Sequence, residues 1–299
     1  MSVGRFAPSP TGPLHFGSLV AAVASYCDAR QRSGQWLLRI EDVDTTRSIK
    51  GASEHIIHTL QRYGFVWDGE IVYQSQRSDI YQQVLEQLLK QALAYPCTCS
   101  RKEISDSSIL QGIEGAIYPG TCRLHPAKKD TAAAWRLKTH DIAISFEDLI
   151  QGRQQHNIAT DIGDFVIKRA DGLFSYQLAV VVDDALQGVT HIVRGADLLN
   201  STTRQIFLQH ILGYTTPVYA HIPLVINIQG QKLSKQTLAE PLPDDNIKDT
   251  LIAALGFLRQ PIPEHLHTYP LKDIWQWAHT HWQLPLIPPA NYSQGDQRW

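Results

Sequence analysis

A proline- and glycine-rich loop near the start of the chain has the composition of an anion-binding turn. The segment Pro8-Ser-Pro-Thr-Gly-Pro13 follows a short apolar run and leads into a helical pattern that begins near His15. Backbone N–H groups and the dipole at a helix N-terminus together favour a phosphate. His15 could donate to a phosphate oxygen, and Gly17 would let a purine or ribose approach the backbone. For an isolated His-x-Gly, a tight turn with a capping histidine is the more frequent alternative.

A second cationic segment, Gln231-Lys-Leu-Ser-Lys-Gln236, lies more than two hundred residues later. Lys232 and Lys235 bracket a small hydroxyl residue and could neutralise a triphosphate. Taken alone, such a loop is usually solvated surface. Together, the two segments indicate a nucleotide-binding site, because their order and separation are those expected if both close over one nucleotide.

Three cysteines fall within an aperiodic segment between the predicted helices and strands. Cys97, Cys99 and Cys122 supply three thiolates, one short of a tetrahedral zinc site. A segment with little core of its own is a natural place for a structural metal. His125 is chemically the ordinary fourth ligand, and reduced cysteines without a metal are the alternative. Cys27, within the first predicted helix, is most simply a buried apolar residue.

Alternating strands and helices must position these residues. The sequence predicts strands at 3–7, 36–40, 134–137, 142–146, 165–169, 173–182 and 191–193. It predicts helices at 15–32, 52–63, 78–95, 196–212, 246–258 and 271–282. Asp171-Gly172, between two of these strands, is typical of a hairpin turn. The strand–loop–helix opening predicts a mostly parallel α/β sheet, with ligands beyond the carboxyl ends of its strands, where Glu41 and Arg194 fall.

Composition excludes several classes of protein. The 299 residues are 43% apolar and 19% charged, with a net charge of −2, which is globular composition and not that of a globally basic polyanion binder. Four cysteines are too few for a disulfide scaffold. The N-terminus has no apolar signal region, and Leu178–Val182 is too short to span a bilayer. We therefore expect a soluble cytoplasmic protein.

The two cationic segments resemble a pair of family motifs. His15-Phe-Gly-Ser18 and Lys232-Leu-Ser-Lys-Gln236 are similar to the HIGH and KMSKS motifs of class I aminoacyl-tRNA synthetases, departing from them at Ser18 and Gln236. Four further segments resemble the glutamyl/glutaminyl subgroup: Arg5–Gly12, Leu38–Arg47, Val180–Asp184 and His191–Leu198. The similarity extends over about residues 3–240, and the order of the motifs makes it specific.

The resemblance implies a fold and a division of the chain. The fold is α/β, a Rossmann-like class I synthetase catalytic domain with a zinc-bearing insertion and a short helical C-terminal part. The implied boundaries are 1–94 for the first half of the catalytic domain, 95–125 for the zinc insert, 126–240 for the acceptor-binding and remaining catalytic region, and 241–299 for the C-terminal subdomain. Tyr118-Pro-Gly-Thr-Cys122 resembles a zinc pattern with a tyrosine oxygen as fourth ligand, so Tyr118 is expected to complete the site of Cys97, Cys99 and Cys122.

The resemblance also assigns residues to ligands. Free glutamate has one ammonium and two carboxylates, so its pocket needs about one acidic and two cationic partners. In the glutamyl family, certain positions contact glutamate. The matching residues in this sequence are Arg5, Ala7, Ser9, Glu41, Tyr176 and Arg194. We expect the two arginines to bind the carboxylates and Glu41 to bind the ammonium; the alternative is that Arg5 and Glu41 form only a structural ion pair. ATP contacts are expected at His15, Gly17 and Lys235, with His15, Lys232 and Lys235 as the catalytic set and Mg²⁺ bound with ATP.

Too little chain follows Lys235 for the large anticodon-binding region of a full glutamyl- or glutaminyl-tRNA synthetase. The sequence therefore resembles the shortened paralogues, which activate L-glutamate with ATP without tRNA and transfer it to queuosine in the anticodon. The expected partners are ATP, L-glutamate and the anticodon stem-loop of tRNA(Asp), with no membrane and no protein partner. Three alternatives stay open: a truncated glutamyl-tRNA synthetase that charges the 3′ end of tRNA(Glu), a nucleotidyltransferase that uses no amino acid, and a non-catalytic RNA-binding paralogue.

Overall fold

The computed structural model describes residues 1–125, 127–226 and 240–289. Its strands are β1 Val3–Phe6, β2 Gln35–Ile40, β3 Val72–Tyr73, β4 Ala94–Cys97, β5 Gln111–Gly112, β6 Gly115–Ala116, β7 Ala134–Leu137, β8 Ala143–Asp148, β9 Gly152–Asn157, β10 Phe165–Lys168, β11 His191–Gly195 and β12 Val218–Ile222. Its helices are α1 Phe16–Gln31, α2 Ala52–Arg62, α3 Ser78–Lys90, α4 Arg101–Ser107, α5 Thr121–Leu124, α6 Tyr176–Leu186, α7 Leu199–Leu212, α8 Ile247–Phe257 and α9 Leu271–His281. Within those ranges, none of the helices combines the length and the apolar character needed to cross a bilayer.

The centre of the molecule is a parallel sheet in two hydrogen-bonded sections. One has the order β1-β2-β3, all parallel, and the other has the order β11-β12-β8-β9, in which only the β8–β9 pairing is antiparallel. The sections meet where Thr190 donates its backbone N–H to the Val3 carbonyl at 2.9 Å. The predicted parallel α/β sheet is therefore confirmed, and the carboxyl ends of β1, β2, β11, β12 and β8 face one edge.

Helix α1 lies inside the molecule, between the sheet and the C-terminal helices. Its Ala22, Val23 and Ala24 are fully buried, as expected of a helix that is apolar on nearly every side. Tyr26 on α1 packs against the rings of Trp36 and Trp275, with centroids 4.7 and 5.0 Å away. The helices predicted at 246–258 and 271–282 are present as α8 and α9, and they share one apolar core with α1.

Two predicted elements are wrong in part. The helix predicted at 78–95 ends at Lys90, because Ala92 takes a left-handed conformation with φ of 55° and the chain re-enters as strand β4. The strand predicted at 173–182 is helix α6 from Tyr176 onward. The turn at Asp171-Gly172 is correct, with Arg169 N–H donating to the Leu173 carbonyl at 2.8 Å. The valines of α6 favour a strand by propensity, but the packing of this helix in the core overrides that preference.

The segment with the cysteines is attached to a small antiparallel sheet of order β10-β7-β4. Strand β4 pairs with β7 from Ala94 to Cys97, so the first cysteine stands at a strand end. Helices α4 and α5 and the β5–β6 hairpin follow within the same segment. A short cluster of Tyr95, Cys97 and Tyr118 is its buried core.

Candidate active site

A cavity of about 1050 Å³ opens at the carboxyl edge of the central sheet. Its lining includes every residue predicted to bind glutamate or ATP that the structure describes: Arg5, Ala7, Ser9, His15, Gly17, Glu41, Tyr176 and Arg194. These residues come from four separate parts of the sequence, and the fold brings them to one cavity. Lys232 and Lys235 lie outside the described residues.

His15 is both the N-cap of α1 and a lining residue of the cavity. Its Nδ1 accepts from the Ser18 backbone N–H at 3.3 Å, so in the neutral ring the proton resides on Nε2. A Cβ at Gly17 would lie 3.1 Å from Cε1 of His15, so a larger residue there would crowd this ring. The helix-capping interpretation and the ligand-binding interpretation of His15 are therefore compatible.

Both flanks of the lysine-containing segment lie beside the same cavity. Before that segment, Val225 lines the cavity. After it, Leu242 donates its backbone N–H to the Leu14 carbonyl at 2.9 Å, and Pro241 forms a bridge with His15. The residues on both sides of the lysine-containing segment thus lie near the proline- and glycine-rich loop and His15.

A buried network of four charges lies behind one wall of the cavity, which two of its members, Arg5 and Glu41, line. Arg5 donates from Nε to Asp184 at 3.2 Å, and Arg39 donates from Nη2 to Asp184 at 2.8 Å and to Glu41 at 3.2 Å. Arg39 also donates from Nη1 to Gln187 at 2.7 Å. The predicted alternative, a structural ion pair of Arg5 with Glu41, is wrong, because Arg5 pairs with Asp184 and Glu41 with Arg39. The two positive and two negative side chains of this network balance one another in charge.

The two carboxylates of the network respond differently to their surroundings. Burial raises the pKa of Glu41 above its ordinary value, although Arg39 and Arg5 oppose the shift. Burial also acts to raise the pKa of Asp184, but the guanidiniums of Arg39 and Arg5 outweigh it and the pKa is lowered. Asp184 is therefore firmly ionised as a structural anion, while Glu41 is the acid that gains from an additional cation.

Arg194 approaches the cavity from β11 with a different set of partners. Its Nε donates to Nε2 of His221 at 3.0 Å, and its Nη2 donates to Thr202 and Gln205 at 2.8 Å each. The remaining nitrogen, Nη1, is buried and has no hydrogen-bond partner among the described residues. A buried charged donor without a partner is costly, so this nitrogen is suited to an anionic ligand.

Tyr176 adds a neutral hydroxyl to this arrangement. It is the first residue of α6, behind the N-cap Ser175. Burial, together with the nearby charge of Glu41, raises its pKa to about 12, so the hydroxyl keeps its proton and can both donate and accept. The cavity therefore presents one acid that can take a cation, two guanidiniums and one hydroxyl, which is the complement of an amino acid with two carboxylates.

The three clustered cysteines are not among the lining residues of this cavity. The Sγ atoms of Cys97, Cys99 and Cys122 all lie within 4.8 Å of one another. The Tyr118 hydroxyl is 3.3 Å from Cys97 Sγ and 3.5 Å from Cys99 Sγ, and it accepts the Cys122 backbone N–H at 2.7 Å. Burial acts to raise the pKa of Cys122, but hydrogen bonds from its neighbours lower it to about 7. Three sulfurs and one oxygen so placed fit the donor set of a Zn²⁺ ion.

The remaining cysteine and one further histidine have different surroundings. Cys27 is fully buried, and burial raises the pKa of its thiol, as predicted for an apolar residue. His125 lies near Cys99 and Cys122 in the lining of a second cavity of about 440 Å³, but it is not part of the group of mutually close ligand atoms. The geometry therefore favours Tyr118 over His125 as the fourth ligand.

Sequence reasoning missed several residues that hold the site together. Arg39 is fully buried within an apolar strand, and the pair Asp183-Asp184 interrupts an apolar run, so each carried a signal of buried charge in need of a partner. His221 and Asp148 are also fully buried. His221 interrupts an apolar strand in the same way, whereas nothing in the local sequence of Asp148 distinguishes it from a surface residue.

The chain is similar to known proteins over most of its length. Residues 2–267 match the family model "tRNA synthetases class I (E and Q), catalytic domain". A glutamyl-Q tRNA(Asp) synthetase of Aromatoleum aromaticum is 55% identical, covering 96% of this chain and 90% of that protein, and one of Dechloromonas aromatica is 53% identical, covering 95% of each. A glutamate-tRNA synthetase structure from Elizabethkingia anophelis is 25% identical with a TM-score of 0.77, covering 98% of this chain and 68% of the other. The chain thus belongs to the glutamyl-Q tRNA(Asp) synthetases, within the glutamyl and glutaminyl branch of the class I tRNA synthetases.

Proposed function

We propose that the protein activates L-glutamate with ATP without requiring tRNA, and then transfers the glutamyl group to queuosine in the anticodon of tRNA(Asp). The observation that carries the proposal is the common cavity of Arg5, Glu41 and Arg194 with His15. A ligase that activates an amino acid needs charges complementary to that amino acid beside a site for the phosphates of ATP. In our proposal, Arg5, Glu41 and Arg194 supply the first and the N-terminus of α1 supplies the second. The names of the relatives supply the acceptor, since they are glutamyl-Q tRNA(Asp) synthetases.

In the first step, an α-carboxylate oxygen of glutamate attacks the α-phosphorus of ATP. A new P–O bond forms, the bond to the bridging β-phosphate oxygen breaks, and pyrophosphate leaves with the electron pair. Positioning and charge stabilisation carry such a reaction. In our proposal, Arg5 and Arg194 hold the carboxylates and Glu41 holds the ammonium, while Ala7, Ser9 and Tyr176 complete the amino-acid contacts.

Stabilisation of the phosphates is assigned to the two cationic elements. His15 would donate from Nε2 to a phosphate oxygen, and Gly17 would lie against the nucleoside. Lys232 and Lys235 would neutralise the phosphates, which is supported by the positions of Val225 and Pro241 on either side of their segment. Mg²⁺ bound with ATP would supply further positive charge to the leaving pyrophosphate.

In the second step, a hydroxyl of the queuosine cyclopentene ring attacks the carbonyl carbon of glutamyl-adenylate. The ester bond forms, the acyl–phosphate bond breaks, AMP leaves, and the hydroxyl proton passes to solvent. The mixed anhydride is already reactive, so we assign no protein base. The acceptor nucleoside enters the catalytic cavity with its anticodon stem-loop, and the ATP and tRNA substrates imply a cytoplasmic location.

A structural Zn²⁺ ion forms part of the proposal. Cys97, Cys99 and Cys122 would supply three thiolates, and Tyr118 would supply the fourth ligand. None of these four residues lines the main cavity, so in our proposal the ion would fix the fold of the insert and take no part in the chemistry. The backbone N–H of Cys122 already donates to the Tyr118 oxygen, which would stabilise a phenolate.

The decisive experiment measures activation and transfer separately. We expect glutamate-dependent exchange of pyrophosphate into ATP without any RNA, and glutamylation of tRNA(Asp) that carries queuosine but not of unmodified tRNA(Asp). Nuclease fragmentation of the product should recover the label in the anticodon. Label at the 3′ end of tRNA(Glu) would show a truncated glutamyl-tRNA synthetase, nucleotidyl transfer without an amino acid would show a nucleotidyltransferase, and absence of all exchange would show a non-catalytic paralogue.

A further inference from the structure

A buried chain of three side chains links adjacent strands beneath the glutamate site. Asp148 ends β8, His221 lies in β12 and Arg194 lies in β11. Oδ2 of Asp148 is 2.6 Å from Nδ1 of His221, and Nε2 of His221 is 3.0 Å from Nε of Arg194. Asp148 and His221 have no exposed side-chain surface, so water does not compete for these contacts.

The geometry fixes where the protons reside. Arg194 can only donate, so Nε2 of His221 must accept, and the single ring proton is then on Nδ1 and donated to Asp148. Asp148 also accepts backbone N–H groups from Ile150, Gln151 and His221 itself. Burial and the charge of Arg194 lower the pKa of His221 to about 4, which agrees with a neutral ring.

The partners of Arg194 leave part of its guanidinium for a ligand. Nε is used by His221, and Nη2 is used by Thr202 and Gln205. Nη1, with its two N–H groups, is buried without a partner among the described residues. The orientation of the whole plane is therefore set by groups that do not touch the ligand position.

A comparison with Arg5 shows what the neutral imidazole achieves. Arg5 is paired directly with the carboxylate of Asp184, so the protein already balances its charge. No carboxylate within the described ranges lies in ion-pair contact with Arg194, which is held by a neutral ring, a hydroxyl and an amide. Interposing His221 between Asp148 and Arg194 orients the guanidinium while leaving its positive charge for an anion.

We propose that His221, held in one tautomer by Asp148, is a positioning residue for Arg194, and that it directs Nη1 of Arg194 toward a carboxylate of the bound glutamate. This inference rests on the proposed function for the identity of the ligand. It assigns no proton transfer to His221, which acts only through Arg194.

The first test is the tautomer of His221 in the unliganded wild-type protein. In ¹H–¹⁵N spectra at neutral pH, assigned by loss of the signal in His221→Gln, Nδ1 should carry the proton and Nε2 should not. A proton on Nε2, or a doubly protonated ring, would overturn the proposal. Because no substrate is present, this result does not depend on whether glutamate activation occurs.

The second test uses variants of His221 in pyrophosphate exchange. His221→Leu removes the acceptor for Arg194, and we expect the KM for glutamate to rise about 10- to 100-fold, the effect of losing one charged hydrogen bond. The KM for ATP and kcat should change less than about 3-fold on the same scale. His221→Gln offers a neutral acceptor and should recover most of the loss.

A matched control is His156, which contacts Thr203 through Nδ1 at 3.0 Å and does not line the cavity. His156→Leu should leave the KM for glutamate unchanged. The proposal is overturned if His221→Leu behaves like His156→Leu, or if it lowers kcat and raises both KM values together. If His221→Leu does not fold, Thr202→Val can be compared with Thr202→Ser, because Thr202 also holds Arg194. Thr202→Val should raise the KM for glutamate and leave the KM for ATP nearly unchanged, and Thr202→Ser should change neither.

Discussion

Replacing Glu41 by Gln tests the charge complementarity on which the glutamate assignment depends. The substitution keeps the shape of the side chain and removes its negative charge. Arg39 keeps its partners Asp184 and Gln187, so we expect the fold to survive. The ammonium of glutamate, by contrast, would lose the acid assigned to it.

The size of the effect follows from the burial of Glu41. Two unit charges about 4 Å apart attract by about 4 kcal/mol at an effective dielectric constant near 20. The amide of Gln still accepts a hydrogen bond, so the net loss should be about 2–4 kcal/mol. At 1.4 kcal/mol for each factor of ten, the KM for glutamate should rise about 30- to 700-fold, with the KM for ATP nearly unchanged.

The pH dependence adds a second readout. Since burial raises the pKa of Glu41, acidification neutralises the wild-type side chain earlier than an ordinary carboxyl. The ratio of the KM values of Glu41→Gln and wild type should therefore narrow as the pH falls, beginning above the ordinary glutamate pKa of about 4.3. Titration of the substrate cancels in this ratio, because both proteins see the same glutamate.

The assay is glutamate-dependent pyrophosphate exchange, with Glu147→Gln as the control. Glu147 is an exposed acid on the neighbouring sheet section and does not line the cavity. A KM for glutamate within about two-fold of wild type in Glu41→Gln would refute the assignment of the ammonium to this residue. An equal rise in the KM for ATP would show that the substitution disturbs the whole cavity instead.

Three further predictions concern the lysine segment, the metal site and stability. Lys235→Ala should lower the exchange rate about 10²- to 10³-fold, and near-wild-type exchange would contradict its assignment to the phosphates. Tyr118→Phe should lower the zinc content measured by mass spectrometry while His125→Ala keeps it; the reverse pattern would make the histidine the fourth ligand. Asp184→Asn should reduce the free energy of unfolding in urea by about 3–5 kcal/mol at pH 7, because two buried guanidiniums lose a partner. The pKa of Asp184 is lowered in the folded state, so this contribution is present above the ordinary carboxyl pKa of about 3.9 and is lost as the pH falls below it; a difference that persists undiminished near pH 3 would contradict the ion-pair explanation.

The cavity lining was predictable because motif residues lie in the last residues of strands or directly after them. In a parallel sheet, carboxyl ends of neighbouring strands meet at one edge, so Arg5, Glu41 and Arg194 had to converge once their strands were recognised. The first and last of these strands lie far apart in sequence, and no local pattern says which strands are neighbours. The order of motifs supplied that information.

Elements were mispredicted where local preference and packing disagree. Val180, Val181 and Val182 are β-branched and favour a strand by propensity, yet they are buried on α6. The helical geometry carries Asp183 to Tyr81 and Arg77, and Asp184 to Arg5 and Arg39. Partners more than a hundred residues away decided the conformation, and a window of sequence around the valines does not contain them.

The residues that orient the ligand-binding groups were the least predictable part of the site. Arg194 lies in an apolar strand within a family motif, whereas His221 and Asp148 carry no motif of their own. Their role depends on two distances, 2.6 Å and 3.0 Å, and on complete burial, both of which exist only after three strands have assembled. A residue that binds substrate is constrained by the chemistry of that substrate, which is the same wherever the reaction occurs. A residue that holds another side chain is constrained only by the space left around it, so its type follows from the fold and has to be found there.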